Sequence, residues 1–462
     1  MIATDPREAL ARACRVLAHH GMIDLLGHLS CRVPGNDGVL ATPRFSRACL
    51  PRSVRGTDII ACDPKGNVVE GRGLAPALIA TDLAVYADFP TRHACIFAAP
   101  RTAMAAAIAG YALKPLTHME SAAGFGLSSA DRAGVAAAAA RATAVHEPGI
   151  GVWTAGTDPH ECLMTLYHLE YLAQANLVVA GDDGIRGIAP EDSDKLWRQF
   201  RGHHHYHEFF ESLDPGPLPH PYEAFRRTQK DATFHDLKSA LAFSCRSLWE
   251  RGTLVAFLEH ISHRTSDPNR FLMTSSKTYR DINVGDICEL DYEANLLAGP
   301  KPPGFKWFHA QLLRERTDAT AVVHTHDVYG RAYALSARKL VPSYRVGLGI
   351  AMRPLPAYGR CDLIVDEDVR RQTLDALADG PVVHEIGHGT DFVADDLWRS
   401  TVDAIQREAF LEMDALARRF GGARPMGEES QRLAATLDAS AEDWWWFYAA
   451  EVGAPKRSAA GL

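Results

Sequence analysis

The chain has 462 residues, enough for two or three domains with large buried cores. Its 49 basic and 57 acidic residues give a formal charge of −8, which argues against nucleic acid as the main partner. No run approaches the roughly 20 apolar residues of a membrane span, the amino terminus has no apolar signal region, and the nine cysteines include no Cys-x-x-Cys pair. A cytoplasmic protein without disulfides or a thiolate metal site is the expectation.

Residues 6 to 20 show helical spacing, with Leu10, Ala13, Cys14 and Leu17 on one face and Gly21 as the stop. The stretch from Gly27 to Thr42 reads as strand, turn and strand. Thr57 to Gly71 reads as a hairpin turning at Pro64, Lys65, Gly66 and Asn67. Residues 77 to 88 return to helical spacing, Cys95 to Pro100 is a buried strand, and residues 102 to 112 form an apolar helix. A long amphipathic helix opens at Thr157 on a cap residue. His203 to His207 read as a polar helix face.

Pro215, Pro217, Pro219 and Pro221 alternate after Asp214, a pattern that excludes helix and inner strand. Residues 214–236 are read as a linker between a first domain, 1–213, and a second, 237–452, with a tail at 453–462. Beyond the linker the first half returns. Cys14 falls on Cys245, Gly21 on Gly252, His28 on His260, Asp58 on Asp286 and Glu170 on Glu408, so an internal duplication is the economical reading.

The chemistry concentrates in two stretches of the second copy, AVVHTHDVYG (Ala321 to Gly330) and VVHEIGHGTD (Val382 to Asp391). His324 and His326 sit two apart at the end of a β-branched run, so both imidazoles leave one face of a strand. His388 lies between Gly387 and Gly389, where the backbone is free to turn. Three neutral imidazoles converging on one point make a divalent-metal site with open positions. With 21 histidines in the chain, about one His-x-His pair arises by chance, so the strand-end placement and the distant Gly-His-Gly turn carry the argument. Aligned by sequence, the first copy has Ala98, Pro100 and Ile150 at these positions and is expected to lack the metal. His384 and Glu385 recur as His146 and Glu147 and are read as structural.

The order and spacing of these motifs resemble the class II aldolase/adducin family, along nearly the whole chain and twice over. The matching segments are GHLS and EHIS, Phe305 to His309, AVVHTH, and the Gly-His-Gly loop. The resemblance implies an α/β fold: two tandem three-layer α/β/α domains on mainly antiparallel sheets. It also implies that His324, His326 and His388 ligate one divalent metal, zinc being favoured over manganese, cobalt or iron(II). HLSCRVP and the PLTHM around His118 look most like the decarboxylase branch, which acts on aromatic and heteroaromatic carboxylates and has a non-haem iron oxygenase relative. One departure stands out. Where the family carries the Glu that serves aldol cleavage as acid/base, this chain has Phe305, and its first copy Leu78. A phenylalanine neither binds metal nor moves a proton.

The expected function is therefore a metal-dependent carbon–carbon lyase, decarboxylase rather than aldolase, acting on a small polar or aromatic carboxylate. A non-haem iron oxygenase, a class II aldolase and a non-catalytic adducin-like protein are the alternatives. Candidate proton carriers are Tyr358, His309 and His118; Ser275, Ser276 and Lys277 are candidates to hold the substrate carboxylate. The family resemblance implies a homo-oligomer, here a dimer whose four domains form a ring.

Overall fold

The computed structural model of the chain describes residues 5–33, 38–116, 127–131, 134–139, 142–182, 184–185, 187–189, 192, 195, 208, 211–219, 237–254, 259–276, 279–336, 338–358, 367–437, 439–450 and 452. His118, Lys277, the His203 to His207 run, most of the proposed linker and the tail lie outside these residues.

Local rules account for many element ends. Asp5 accepts from the Arg7 amide at 3.0 Å and Pro6 opens the helix Pro6–His19. Gly21 follows with φ +64°, a left-handed conformation that glycine adopts freely. The long helix Pro159–Val178 is capped by Asp158, one residue after Thr157, with Pro159 at its first position. The helix expected over 102–112 runs Arg101–Ala109 and stops at Gly110.

The strands of the first half are β1 (His28–Arg32), β2 (Val39–Ala41), β3 (Ile60–Cys62), β4 (Val68–Glu70), β5 (Ala94–Ala98), β6 (Leu127–Ser129), β7 (Ala144–Glu147) and β8 (Gly151–Gly156). They form one sheet in the order β4-β3-β2-β1-β5-β8-β7-β6. Those of the second half are β9 (His260–Arg264), β10 (Arg270–Thr274), β11 (Ile287–Asp291), β12 (Leu296–Ala298), β13 (Ala321–Thr325), β14 (Ala357–Tyr358), β15 (Val382–Glu385) and β16 (Gly389–Ala394). Their order, β12-β11-β10-β9-β13-β16-β15-β14, repeats the first step for step. Only the pairs β6–β7 and β14–β15 are parallel among these neighbours.

Alternation along each strand sends side chains to two helical layers. In the second sheet, Val322, Val383 and Val393 pack beneath the helices Lys306–Glu315 and Glu367–Leu377, through Phe308, Leu312, Leu374 and Leu377. Ile261, Val323 and Phe392 face the other way, toward the helices Leu237–Glu250 and Leu397–Arg419. That second core runs on without a break into the first half, taking in Leu29, Ile96 and the helix Arg101–Ala109.

Strand register corrects the sequence alignment of the two halves. β1 sets His28 opposite Phe97, whereas β9 sets His260 opposite His324. Phe97 pairs across to Trp153, and His324 to Asp391. Phe97 and Ala99, not Ala98 and Pro100, therefore stand where His324 and His326 do; Ile150 keeps its match to His388. The apolar run CIFAA gave no signal for choosing between registers one residue apart, because both place small or apolar groups in a core. Phe97 and Trp153 are fully buried with ring centroids 4.1 Å apart, so aromatic packing fills the first copy's site.

The proline run is fastened at its start. Arg15 Nε donates to Asp214 Oδ1 at 2.8 Å, and the Leu218 amide donates to the Arg52 carbonyl at 3.1 Å. No helix among the described residues is long and apolar enough to cross a membrane.

Candidate metal centre

β13 ends at Thr325, and its pleat puts His324 and His326 on the face covered by the helix Lys306–Glu315. Their Nε2 atoms lie 3.1 Å apart. The turn between β15 and β16 brings His388 to the same point, with Gly387 at φ +77°. Gly389 allows that approach: a Cβ there would lie 2.5 Å from the Thr325 carbonyl and 2.9 Å from both His324 and His326 ring carbons. One nitrogen from each of the three imidazoles lies within 4.8 Å of the others.

Two of the rings are turned by a hydrogen-bonded carboxylate on the far side, and a third carboxylate lies near the other. His324 Nδ1 donates to Asp391 Oδ1 at 2.9 Å. His388 Nδ1 donates to Glu385, and His326 Nδ1 lies 3.9 Å from Glu259 Oε1. A metal-binding imidazole ordinarily gives its second N–H to such a group, which fixes tautomer and orientation. Burial, followed by the neighbouring histidines, pushes His326 down to about 3 and His388 down to about 4. Both are neutral at physiological pH, the form in which imidazole binds metal. Burial alone would raise the Asp391 carboxyl; the His324 contact holds it below its usual range. Three converging imidazole nitrogens backed by buried carboxylates fit a divalent cation.

Asp391 and Glu259 were not singled out by the sequence as supports for the site. Asp391 pairs with His324 across β13 and β16, and nothing short of that register reveals it. Glu385 was read as structural; here it orients His388. Glu408 has a further positional role. It accepts the amides of Tyr329 and Gly330 at 2.8 and 3.1 Å, locking the helix Val328–Ala334 that follows the ligand strand. Glu170 does the same for Thr102 and Ala103, which explains why this glutamate recurs. Burial, then the nearby Asp327, pushes the Glu408 carboxyl up to about 8.

Phe305 lies against the cluster, its ring centroid 5.3 Å from that of His388, 5.7 Å from His324 and 5.0 Å from His260. His260 stacks on His324 at 4.6 Å and is fully buried, and neither of its ring nitrogens finds a hydrogen-bond partner among the described residues. His309 is sealed behind it. It hydrogen-bonds Ser262 Oγ through Nδ1 at 2.5 Å, and burial holds it near 3. Ser275 is buried, its amide donating to the Asp286 carbonyl at 3.0 Å, and Ser276 is exposed. Tyr358 is described by backbone register alone, beside Glu385.

A family model described as "Class II Aldolase and Adducin N-terminal domain" matches residues 8–177 and again 239–414. The chain belongs to the class II aldolase/adducin family. Among curated relatives, a 3,4-dihydroxyphthalate decarboxylase of Arthrobacter keyseri is 28% identical over 43% of this chain and 85% of its own length. A 3-oxo-tetronate 4-phosphate decarboxylase of Haemophilus influenzae is 35% identical over 18% of this chain and 40% of its own length. Among solved structures, an L-fuculose 1-phosphate aldolase from Glaciozyma antarctica is similar with a TM-score of 0.39 and 18% identity, covering 51% of this chain and 90% of that one.

Proposed function

We propose that the protein is a metal-dependent decarboxylase of a small aromatic or polar carboxylate, and that His324, His326 and His388 hold the metal. The observation that carries the reading is Phe305, whose ring lies against His388 and His324 at the position of the family's aldol acid/base. Aldol cleavage begins by removing a proton from substrate, and a hydrocarbon ring does not do so. Loss of carbon dioxide begins instead with breakage of the bond to the carboxyl carbon, and needs no base at that spot. A relative named for decarboxylation of a dihydroxylated aromatic diacid supports this class of substrate.

When bound, the cation supplies Lewis acidity that favours charge developing on substrate oxygens. The chain's own groups set the geometry. Asp391 and Glu385 fix two of the imidazoles and Glu259 lies near the third, while Phe305 and the buried His260 close one side against water. The electron pair left on carbon takes up a proton to complete the product. His309, neutral and bonded to Ser262, is a packing residue in this scheme, which leaves Tyr358 and His118 as the proton carriers.

The test is metal analysis of purified protein together with carbon dioxide release from dihydroxybenzoate-type and dihydroxyphthalate-type acids, wild type against His324→Ala. Metal and turnover should be lost together in the variant. Substrate loss matched by oxygen uptake, with iron bound, would instead establish the oxygenase reading.

A further inference from the structure

The acids around the histidine cluster already face an imidazole. Asp391 accepts from His324, Glu385 accepts from His388, and Glu259 lies 3.9 Å from His326. One cation beside the cluster has no such partner. Arg331 stands on the helix Val328–Ala334, just beyond His326, and is half-buried. Side chains on a helix lean toward its amino terminus. Arg331 does so: its Nε donates to the Asp327 carbonyl at 3.1 Å, which brings the guanidinium back to the residue next to His326. That bond uses one of five guanidinium N–H groups. Among the described residues no carboxylate pairs with the rest. The charge is felt at the cluster, where Arg331, after burial and His324, helps to lower the proton affinity of both His326 and His388.

The first repeat has no such group. Glu408 caps Tyr329 and Gly330 as Glu170 caps Thr102 and Ala103, so Met104 stands where Arg331 does, and it is fully buried. The arginine and the three histidines therefore occur together, in one copy of the duplicated unit. Glu408 already takes the first amides of the helix, so the guanidinium and not the helix end is the open donor. A half-buried charge without a counter-ion is costly, and an anion from solution relieves that cost.

We propose that Arg331 binds a carboxylate of the substrate, its planar guanidinium taking both oxygens while another part of the same molecule sits at the histidine cluster. Which carboxylate this is rests on the decarboxylase reading. As carbon dioxide departs, the charge of the leaving carboxylate moves onto carbon. A cation bonded to that group would stabilise the substrate more than the transition state and so slow the reaction. Arg331 therefore holds a carboxylate that stays. The substrate is a diacid, with one carboxyl group retained at Arg331 and the other lost at the histidine cluster.

Calorimetric titration of the full-length chain with phthalate, catechol and phenyl phosphate tests this, with metal content assayed alongside. Arg331→Gln should keep its metal and its circular dichroism and bind phthalate roughly 10-fold or more weakly than the wild type. It should bind catechol, which chelates without a carboxylate, as the wild type does. Arg331→Lys keeps the charge and loses the planar fork, so its phthalate affinity should fall between the two. Phthalate binding that is absent from the wild type, or unchanged in Arg331→Gln, overturns the proposal. So does catechol weakened as much as phthalate, phenyl phosphate bound more tightly than phthalate through Arg331, or loss of metal from Arg331→Gln. If Arg331→Gln does not fold, Arg331→Lys against the wild type is judged by the same comparisons. Turnover separates this inference from the reading beneath it. Arg331-dependent phthalate binding without carbon dioxide release from any diacid refutes the decarboxylase and leaves the carboxylate site. Carbon dioxide release with unchanged KM in Arg331→Gln refutes the site and leaves the decarboxylase.

Discussion

Asp391 Oδ1 accepts from His324 Nδ1 at 2.9 Å, and both side chains are completely buried. The bond crosses from β16 to β13 at a directly opposed pair. It leaves His324 Nε2 as the nitrogen facing His326. Removing such a carboxylate ordinarily costs about 10–100-fold in metal affinity. Asp391→Ala should therefore bind metal that much more weakly in a competition titration, while His324→Ala should bind none. Unchanged affinity in Asp391→Ala would show that the buried pair serves the fold and not the cation.

Gly389→Ala should damage the same site without touching a ligand. Its Cβ would meet the Thr325 carbonyl, His324 and His326 at 2.5–2.9 Å. Overpacking of this kind costs about 1–3 kcal/mol. Denaturation of the metal-free variant should show that loss, and metal content should fall with it. A variant with wild-type stability and full metal content would place the turn further from the imidazoles than described.

Stability of the metal-free protein should fall as pH drops from about 6.5 toward 4. Burial pushes His146, His309 and His326 to about 3, and His384 and His388 to about 4. An unfolded imidazole titrates near 6.5. Between these values the unfolded chain binds protons that the native one does not, so native stability is complete above the unfolded value and is lost as pH falls through the window. Urea midpoints at pH 5 and pH 7 decide the matter: equal midpoints would contradict the burial of these rings.

Phe305 bears on substrate choice. Metal-loaded wild type should not cleave fuculose-phosphate-like substrates, whereas carbon dioxide release from aromatic carboxylates should be measurable. Retro-aldol turnover in the wild type that persists in Tyr358→Phe would mean that a base acts from elsewhere in the site.

Limited proteolysis should cut first within the proline-rich linker, residues 214–236. Early fragments arising mainly from within either sheet would contradict a two-domain chain.

The sequence alone settled the elements, the duplication and the family, because each is written in local terms: helical spacing ending at Gly21, a hairpin turn at Pro64 to Asn67, and recurring pairs such as Cys14 and Cys245. It also named the His-x-His strand end and the Gly-His-Gly turn, since a period of two and a glycine-flanked loop are visible without a partner. Register across strands was not local. An apolar run such as CIFAA reads the same when slid by one residue, so only the pairing of His28 with Phe97, beside that of His260 with His324, showed which first-copy side chains fill the ligand positions. The carboxylates behind the imidazoles were hidden for the same reason: Asp391 lies 67 residues from His324 in the chain and 2.9 Å from it in the fold.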